Sequence, residues 1–198
     1  MKDIKVSNSI FKSNTSNRYV GGLGLISNAK GSVYNCVFNS NYSGYSDSTK
    51  TAHGISLGSE AEFDILNCTM VDTSSADGVG LSVRRGGKFN LANSILWGCG
   101  DRPVNIVTAA GLGCEVNINY CNIEYGFDSI YISDSLSVLN WGSGNISEDP
   151  LFVDLPGADL HLMDLSPCIG SGINSFILNE SWVTAPTRDI EGNPRPSP

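Results

Sequence analysis

The carboxylates and histidines that could do chemistry are dispersed along the chain. Hydrolysis of a glycosidic bond needs two carboxylates within roughly 5–10 Å of each other, flanking that bond. Three candidates, Asp64, Asp72 and Asp77, fall on different sides of the repeat described below. His53 and His161 are far apart in that repeat and adjoin no nucleophile motif, so the sequence does not indicate a catalytic triad.

Aromatic side chains offer a second kind of chemistry, the binding of sugar rings. An aromatic ring on a flat β surface presents a rigid apolar face on which a sugar ring can stack. The alternative is that loops fold back and bury these rings. The candidates lie near predicted turns or at outward strand positions, and they are Trp97, Tyr125, Tyr131 and Trp141.

The six cysteines are too few for a disulfide-rich scaffold, and they lack the C-x-x-C pairs of a structural zinc site. Cys36, Cys68 and Cys121 share one inward column of the repeat. Burial as small apolar side chains is favoured there over a metal or redox site. Cys99 and Cys114 flank one predicted strand, and two alternatives remain open, a disulfide or separate thiols.

Composition excludes several classes of protein. The 198 residues fit a single elongated all-β domain. The 12 basic residues against 20 acidic ones give a net charge of -8, which argues against a nucleic-acid partner because phosphate binding needs a clustered basic face. The chain has no run of ~18 apolar residues, so we expect no membrane insertion.

A short phrase recurs five times at near-constant spacing. Its copies read VSNSIF, VYNCVF, ILNCTM, LANSIL and INYCNI, and they are 27, 32, 26 and 27 residues apart. Apolar or small residues fill alternate positions on both sides of a central anchor, which is the periodicity of a β-strand. Because each repeat also holds two further strand-like segments, the sequence predicts a solenoid with about one 27-residue coil per repeat.

The anchor of the repeat is an asparagine in four coils, at Asn8, Asn35, Asn67 and Asn93. Asparagine tolerates the left-handed backbone conformation of a sharp corner better than most residues do. Stacked asparagine amides can also bond from coil to coil, so these four residues form a predicted structural ladder. Tyr120 replaces the asparagine in the fifth coil, where we expect the ladder to end.

Two further columns test this alignment. Five residues before each anchor the charge alternates in sign, through Asp3, Lys30, Glu62, Lys88 and Glu115. Strands stacked ~4.8 Å apart would place each of these charges between opposite ones. A second outward column contains Asp64, Asn90 and Asn117, and it is either a weak site for a sugar or cation or a solvated surface.

The repeat resembles the parallel β-helix repeats of the pectin-lyase-like superfamily. Three C-terminal stretches, NISEDPLFVD, DLHLMDLSPCIGSG and RDIEGNPRP, resemble the closing segment of many secreted bacterial β-helix proteins. The expected fold is all-β, a single-stranded right-handed parallel β-helix of about six coils. Residues 1–145 are predicted to form the coils, and residues 146–198 the final coil and an irregular closing segment of the same domain.

The resemblance also implies a candidate catalytic site. Polysaccharide lyases of the superfamily use Arg or Lys beside a strand to remove a proton next to a uronate carboxylate, often with calcium. Arg84 and Arg85 lie in the only basic cluster, and Glu60 and Asp77 are nearby carboxylates. If Leu81 aligns with Leu57, Arg84 falls opposite Glu60, and surface pairing then competes with catalysis.

Three functions follow from these observations. The first is a non-catalytic module of an exported or surface bacterial protein that binds polysaccharide or another cell-surface macromolecule. The second is a polysaccharide lyase or glycosidase acting on an acidic glycan, with calcium as the possible cofactor. The third is a structural stalk. The relatives usually have a capped first coil, and an uncapped one favours a monomer or part of a longer exported chain over a cytoplasmic protein.

Overall fold

The computed structural model describes residues 3–18, 20–44, 52–71, 78–178 and 181–195. Its regular structure is β apart from a four-residue 3-10 turn, Gly126–Ser129. The strands stack into a parallel β-solenoid of about five turns, as the repeat predicted. Within these residues no helix is long and apolar enough to cross a bilayer.

Three parallel sheets form the faces of the solenoid. Sheet 1 contains β1 (Ile4–Ser7), β5 (Lys30–Tyr34), β9 (Glu62–Leu66), β12 (Lys88–Ala92), β15 (Glu115–Asn119) and β18 (Val138–Trp141). Sheet 2 contains β2 (Ile10–Lys12), β6 (Val37–Asn39), β10 (Thr69–Val71), β13 (Ile95–Trp97) and β16 (Asn122–Ile123). Sheet 3 contains β4 (Leu23–Leu25), β8 (Ile55–Leu57), β11 (Leu81–Arg84), β14 (Val104–Val107) and β17 (Ile130–Ile132).

Three small two-stranded sheets complete the fold. They are β3 (Thr15–Ser16) with β7 (Tyr42–Ser43), β19 (Phe152–Asp154) with β20 (Asp159–Leu162), and β21 (Ser175–Leu178) with β22 (Ser181–Thr184). The last two pairs are antiparallel, so the closing segment contains two hairpins rather than only irregular structure.

The register of sheet 1 is the one that the repeat predicted. Val33 pairs with Val6 on one side and with Ile65 on the other, and Leu91 pairs with Ile65 and Ile118. These inward side chains belong to one continuous apolar core. Full burial of one such side chain stabilises the folded state by roughly 1.5–3 kcal/mol. Near the first coil, the rings of Phe11 and Phe38 stack with centroids 4.7 Å apart.

The cysteines behave as buried thiols. Cys36, Cys68 and Cys121 are each about 1% exposed and form part of the core. Cys99 and Cys114 are also buried, and all six cysteines are thiols, so the open alternative is settled against a disulfide between them.

The corner after each of the first five sheet 1 strands has the predicted left-handed conformation. The backbone angle φ is 49° at Asn8 and 52° at Asn35, Asn67 and Asn93. Tyr120 has the same φ of 52°, so the corner persists where the asparagine does not. The stacked asparagines of the first and second coils are also hydrogen bonded, since Asn35 Nδ2 donates to Asn8 Oδ1 over 3.2 Å.

The alternating charge column also forms. Lys30 and Lys88 both pair in register with Glu62, and Lys88 pairs with Glu115 on its other side. The Lys30 and Glu62 side chains approach to 2.5 Å, and those of Lys88 and Glu115 to 2.8 Å. Hydrogen bonding to Glu115 raises the pKa of Lys88. Because these pairs are well exposed, they favour one stacking register more than they add stability.

The chain end runs back along the solenoid as a segment that we call the C-terminal strap, residues 166–178 and 181–195. Cys168 lies beside Asn122 in the fifth coil, with the Asn122 Nδ2 donating to its Sγ over 3.0 Å. Three coils earlier in the stack, Asn35 Nδ2 donates to the Arg188 carbonyl over 2.7 Å, and an Arg195 guanidinium N–H donates to Asn35 Oδ1 over 2.6 Å. The strap therefore crosses the asparagine corners from the last coils towards the first.

Candidate functional site

A shallow groove of about 370 Å³ lies where sheet 2 meets the first closing hairpin. That volume is near the lower end of the roughly 300–1,000 Å³ typical of small-molecule sites. One wall is Trp97, and the other is the segment that leads into and through β19. Its described lining residues are Trp97, Asp149, Leu151, Phe152, Val153, Asp154, Leu155, Pro156 and Met163.

Strand periodicity places Trp97 on the outside of sheet 2. Its neighbour Leu96 is fully buried and points into the core, so the next side chain along β13 points outward. The backbone turns immediately afterwards at Gly98, whose φ is 68°. The Gly98 N–H donates to Glu124 Oε2 over 2.7 Å, which holds the end of β13 against the next coil along the chain.

The opposite wall is held by a tight turn at Asp149. Asp149 Oδ1 accepts the Leu151 N–H over 2.9 Å, and the Leu151 carbonyl accepts the Met163 N–H over 2.9 Å. Leu151 has a φ of 53°, a left-handed conformation that costs a residue other than glycine about 1–3 kcal/mol. Phe152 is 8% exposed and anchors the wall.

A second turn positions Asp154 at the tip of the same hairpin. Asp154 Oδ1 accepts the Gly157 N–H over 3.0 Å. A Cβ at Gly157 would lie 2.2 Å from Asp154 Oδ2, so any larger residue at position 157 would displace this carboxylate. Within the described chain, the second oxygens of Asp149 and Asp154 accept no hydrogen bond, and they are available to a ligand.

The groove thus combines an aromatic face, hydrogen-bonding groups and an apolar rim. The Trp97 indole N–H donates to no residue of the described chain, so it is a donor available to a ligand. Val153 and Met163 on the rim are about half exposed, at 48% and 46%. This arrangement can hold a ring with one apolar face and hydroxyl or amino groups around its edge.

The other three predicted aromatic residues lie elsewhere. Tyr125 is 64% exposed in the corner after β16, with a φ of 61°. Tyr131 lies on sheet 3, where the Arg102 guanidinium is 4.8 Å from its ring centroid. Trp141 packs on the core from sheet 1, and its ring meets that of Phe127 edge to face. The four residues therefore form no single row.

The basic cluster lies at the corner between sheets 3 and 1. Leu81 pairs with Ile55 rather than with Leu57, so the alignment that would place Arg84 opposite Glu60 is wrong by two residues. Gly58 instead lies against Arg84, and the Glu60 N–H donates to the Arg85 carbonyl over 3.0 Å. The predicted alignment matched Leu57 with the wrong inward residue of the next coil, because Val83 and not Leu81 is its partner.

Two of the predicted carboxylates, Asp72 and Asp77, lie outside the described residues. Asp77 was a candidate partner for the basic cluster, and that prediction is untested. Within the described ranges, no group of three or more His, Cys, Asp and Glu side chains is arranged to hold a metal ion. The described residues therefore provide no cluster of carboxylates for calcium.

The predicted outward column on sheet 1 forms a continuous amide ladder. Asn140 donates to Asn117, Asn117 to Asn90, and Asn90 to Asp64, each through Nδ2 to an oxygen 2.8 Å away. Burial raises the pKa of Asp64, while the hydrogen bond from Asn90 lowers it. The column is therefore a structural ladder in which each amide bonds to the next along the stack.

The two histidines are separated, as the repeat predicted. His53 is buried near Tyr42, with ring centroids 5.5 Å apart. His161 is exposed on β20 between Asp159 and Glu191, at 2.5 Å and 3.0 Å. Hydrogen bonds from its ring to Asp159 and then Glu191 raise the pKa of His161, so this contact ties the first closing hairpin to the C-terminal strap.

Sequence reasoning identified Trp97 but missed Asp149 and Asp154. A sequence signal for these two aspartates was present, since both belong to the stretch NISEDPLFVD that resembles the closing segment of other β-helix proteins. What the sequence could not show is that this stretch folds back beside β13. Comparison with protein-family models, with curated proteins and with solved structures found no match for the chain.

Proposed function

We propose that the chain is a non-catalytic glycan-binding module of an exported, cell-surface protein, and that a sugar ring lies against Trp97 in the groove. The observation that carries the proposal is the meeting of an outward indole with two carboxylates whose second oxygens are unused. The indole provides a stacking face, and the carboxylates accept hydrogen bonds from ring substituents.

The position of the carboxylates supports binding over hydrolysis. Asp149 and Asp154 both belong to the hairpin wall, on the same side of the groove. Glycosidases need one carboxyl group on each side of the scissile bond. Each of the two groups also already accepts a backbone N–H that holds its turn.

The exported location is part of the proposal. The resemblance of the closing stretches to those of secreted β-helix proteins supports it. The solenoid suits this role because stacked coils hold the groove on a rigid scaffold, with the walls supplied by sheet 2 and by the hairpin that follows the last coil.

A binding assay with Trp97→Ala tests the proposal. We expect soluble neutral oligosaccharides of four to six sugars to bind the native chain, and Trp97→Ala to weaken that binding about tenfold, which corresponds to ~1.4 kcal/mol. Trp97→Phe, which keeps a stacking face, should recover part of the loss. The matched control is Tyr125→Ala, which removes an exposed aromatic ring outside the groove.

Two results would overturn this function. One is binding that is unaffected by Trp97→Ala, which would move the site elsewhere. The other is the release of shortened or unsaturated products that stops in Arg84→Ala, which would establish a lyase or hydrolase. Circular dichroism and thermal melting of each variant show whether a loss of binding reflects a loss of fold.

A further inference from the structure

The walls of the Trp97 groove carry negative charge without a compensating base. Of the nine described residues that line it, two are aspartates and none is lysine or arginine. Glu124 lies next to the Trp97 end of β13 through its bond to the Gly98 N–H, which adds a third carboxylate beside the groove. A uronate placed here would meet like charges, which disfavours the acidic glycans that the lyase hypothesis requires.

An ammonium group suits the same surroundings. The face of an indole ring attracts a cation, by ~0.5–1 kcal/mol at an exposed site and more where water is excluded. A carboxylate oxygen accepts a charge-assisted hydrogen bond from an ammonium group, about twice as strong as a neutral one. Trp97 provides the ring, and Asp149 and Asp154 each provide an oxygen that makes no other hydrogen bond in the described chain.

A divalent metal ion fits the groove less well than an ammonium group does. Among the described residues, no three or more His, Cys, Asp or Glu side chains, Glu124 included, are grouped so that they could hold a metal ion. The remaining lining residues are apolar, and Val153 and Met163 stay half exposed at the rim. These surfaces match the C–H face of a sugar ring rather than the hydration shell of a metal ion.

We propose that the groove selects glycans with free amino groups, that is, polymers of de-N-acetylated hexosamine. The inference rests on the proposed glycan-binding function and adds the chemical class of the ligand. The sugar ring stacks on Trp97, and its ammonium group is bound by Asp149 and Asp154. An N-acetyl group removes the charge and adds bulk at that position, so acetylation weakens binding.

The test compares oligomers of equal length by calorimetry. The probes are a hexamer of β-1,4-linked glucosamine, the same hexamer N-acetylated, and a hexamer of galacturonate. We expect the free amine to bind at least tenfold more tightly than its acetylated form, and the uronate to bind least. The double variant Asp149→Asn with Asp154→Asn should reduce the preference for the amine to below threefold.

The aspartate variants are designed to keep the fold. Asparagine retains the side-chain oxygen that accepts the Leu151 and Gly157 N–H groups, so both turns can form. The matched control is the double variant Asp128→Asn with Asp134→Asn, which removes the same two charges from exposed sites outside the groove. Asparagine at position 134 retains the oxygen that accepts the Leu136 N–H. This control is needed because a chain with a net charge of -8 attracts any polycation non-specifically.

Each outcome decides between the two proposals. Equal affinity for the free and acetylated hexamers, with both lost in Trp97→Ala, would overturn the amine preference and leave glycan binding intact. Loss of amine binding in the control double variant Asp128→Asn with Asp134→Asn as large as that in Asp149→Asn with Asp154→Asn would show non-specific attraction and overturn the inference. Binding of none of the hexamers would overturn both proposals.

Discussion

At the scale of single residues, the corner position shows how one backbone requirement can be met in two ways. Asn67 and Tyr120 have the same φ of 52°, although asparagine adopts this conformation more readily. At Tyr120 the neighbouring chain adapts. A Cβ on Gly144 would lie 2.2 Å from the tyrosine ring, so the glycine leaves room for it.

The ionised side chain of Asp64 destabilises the folded state. Burial raises its pKa, so the folded state holds the proton more tightly than the unfolded chain does. The contribution of protonated Asp64 to the free energy of unfolding is complete below the ordinary aspartate pKa. It is lost as the pH rises through the raised pKa that Asp64 has in the folded state. At neutral pH, Asp64→Asn removes this penalty while its Oδ1 still accepts the Asn90 amide.

We therefore expect Asp64→Asn to raise the Tm at pH 7 by about 2–4 °C, the shift that ~1 kcal/mol gives a chain of this size. The difference from the native chain should shrink towards zero near pH 3. Thermal melting across that pH range measures it, with the exposed Asp128→Asn as the control. A lower Tm in Asp64→Asn at pH 7 would contradict the assignment of burial as the dominant cause.

At the scale of elements, the C-terminal strap is held by a few amide contacts rather than by a ladder of its own against the solenoid. The Asn93 Nδ2 donates to the Ile173 carbonyl over 2.8 Å, and the Ile173 N–H donates back to Asn93 Oδ1 over 2.9 Å. Asn67, one coil away, has a buried Oδ1 with no hydrogen-bond partner in the described chain. The strap is therefore docked at discrete corners.

Asn93→Ala should release the strap locally. The change leaves the Ile173 N–H and carbonyl without partners, at a cost of roughly 2 kcal/mol. Asn8→Ala is the matched control, because Asn8 shares the positive φ, is exposed, and among the described residues bonds through its side chain to Asn35 rather than to the strap. Hydrogen exchange should speed up at Ile173 and the neighbouring hairpin in Asn93→Ala only. Equal effects of the two variants would show that the backbone conformation, not docking, is what the asparagine provides.

The sequence predicts the coils well and the closing segment poorly, for a physical reason. Lys30, Glu62 and Lys88 are close in sequence to the residues that they stack on, so a repeat of about 27 residues shows which side chains meet. The pair Asn93 and Ile173 is 80 residues apart and follows no repeat. The repeat did not predict the groove for the same reason. Asp149 and Trp97 are far apart in sequence, and they line one groove only because the chain reverses direction after the last coil.

At the scale of the whole molecule, buried thiols report on how the coils open. Cys36, Cys68 and Cys121 sit in successive parts of one stack, whereas Cys168 is partly exposed in the strap. A solenoid has contacts chiefly between neighbouring coils, so end coils open more readily than central ones. The edge of the first coil is unpaired on one side and exposes Ile4 and Ile10.

We expect alkylation of the native chain to modify Cys168 first, Cys36 in the second coil next, and Cys68 in the central third coil last. Burial raises the pKa of Cys168, so even its reaction should be slow at neutral pH and faster as the pH rises. Mass spectrometry of alkylated peptides over time gives the order, and Cys168→Ser removes the first step without changing the rest. Simultaneous labelling of Cys36 and Cys68 would show that the solenoid opens as one cooperative unit.

The route of the C-terminal strap also bears on synthesis. Coils stack on neighbours about 27 residues away, so each can pair soon after it leaves the ribosome. The strap contacts of Asn35 are 153 and 160 residues distant, so they form only after residues 188 and 195 have been synthesised. A chain without the strap would keep its coils but leave the Asn35 and Asn93 amides hydrated. Solvent exposure of these corner amides therefore distinguishes coils that have already stacked from coils over which the strap has docked.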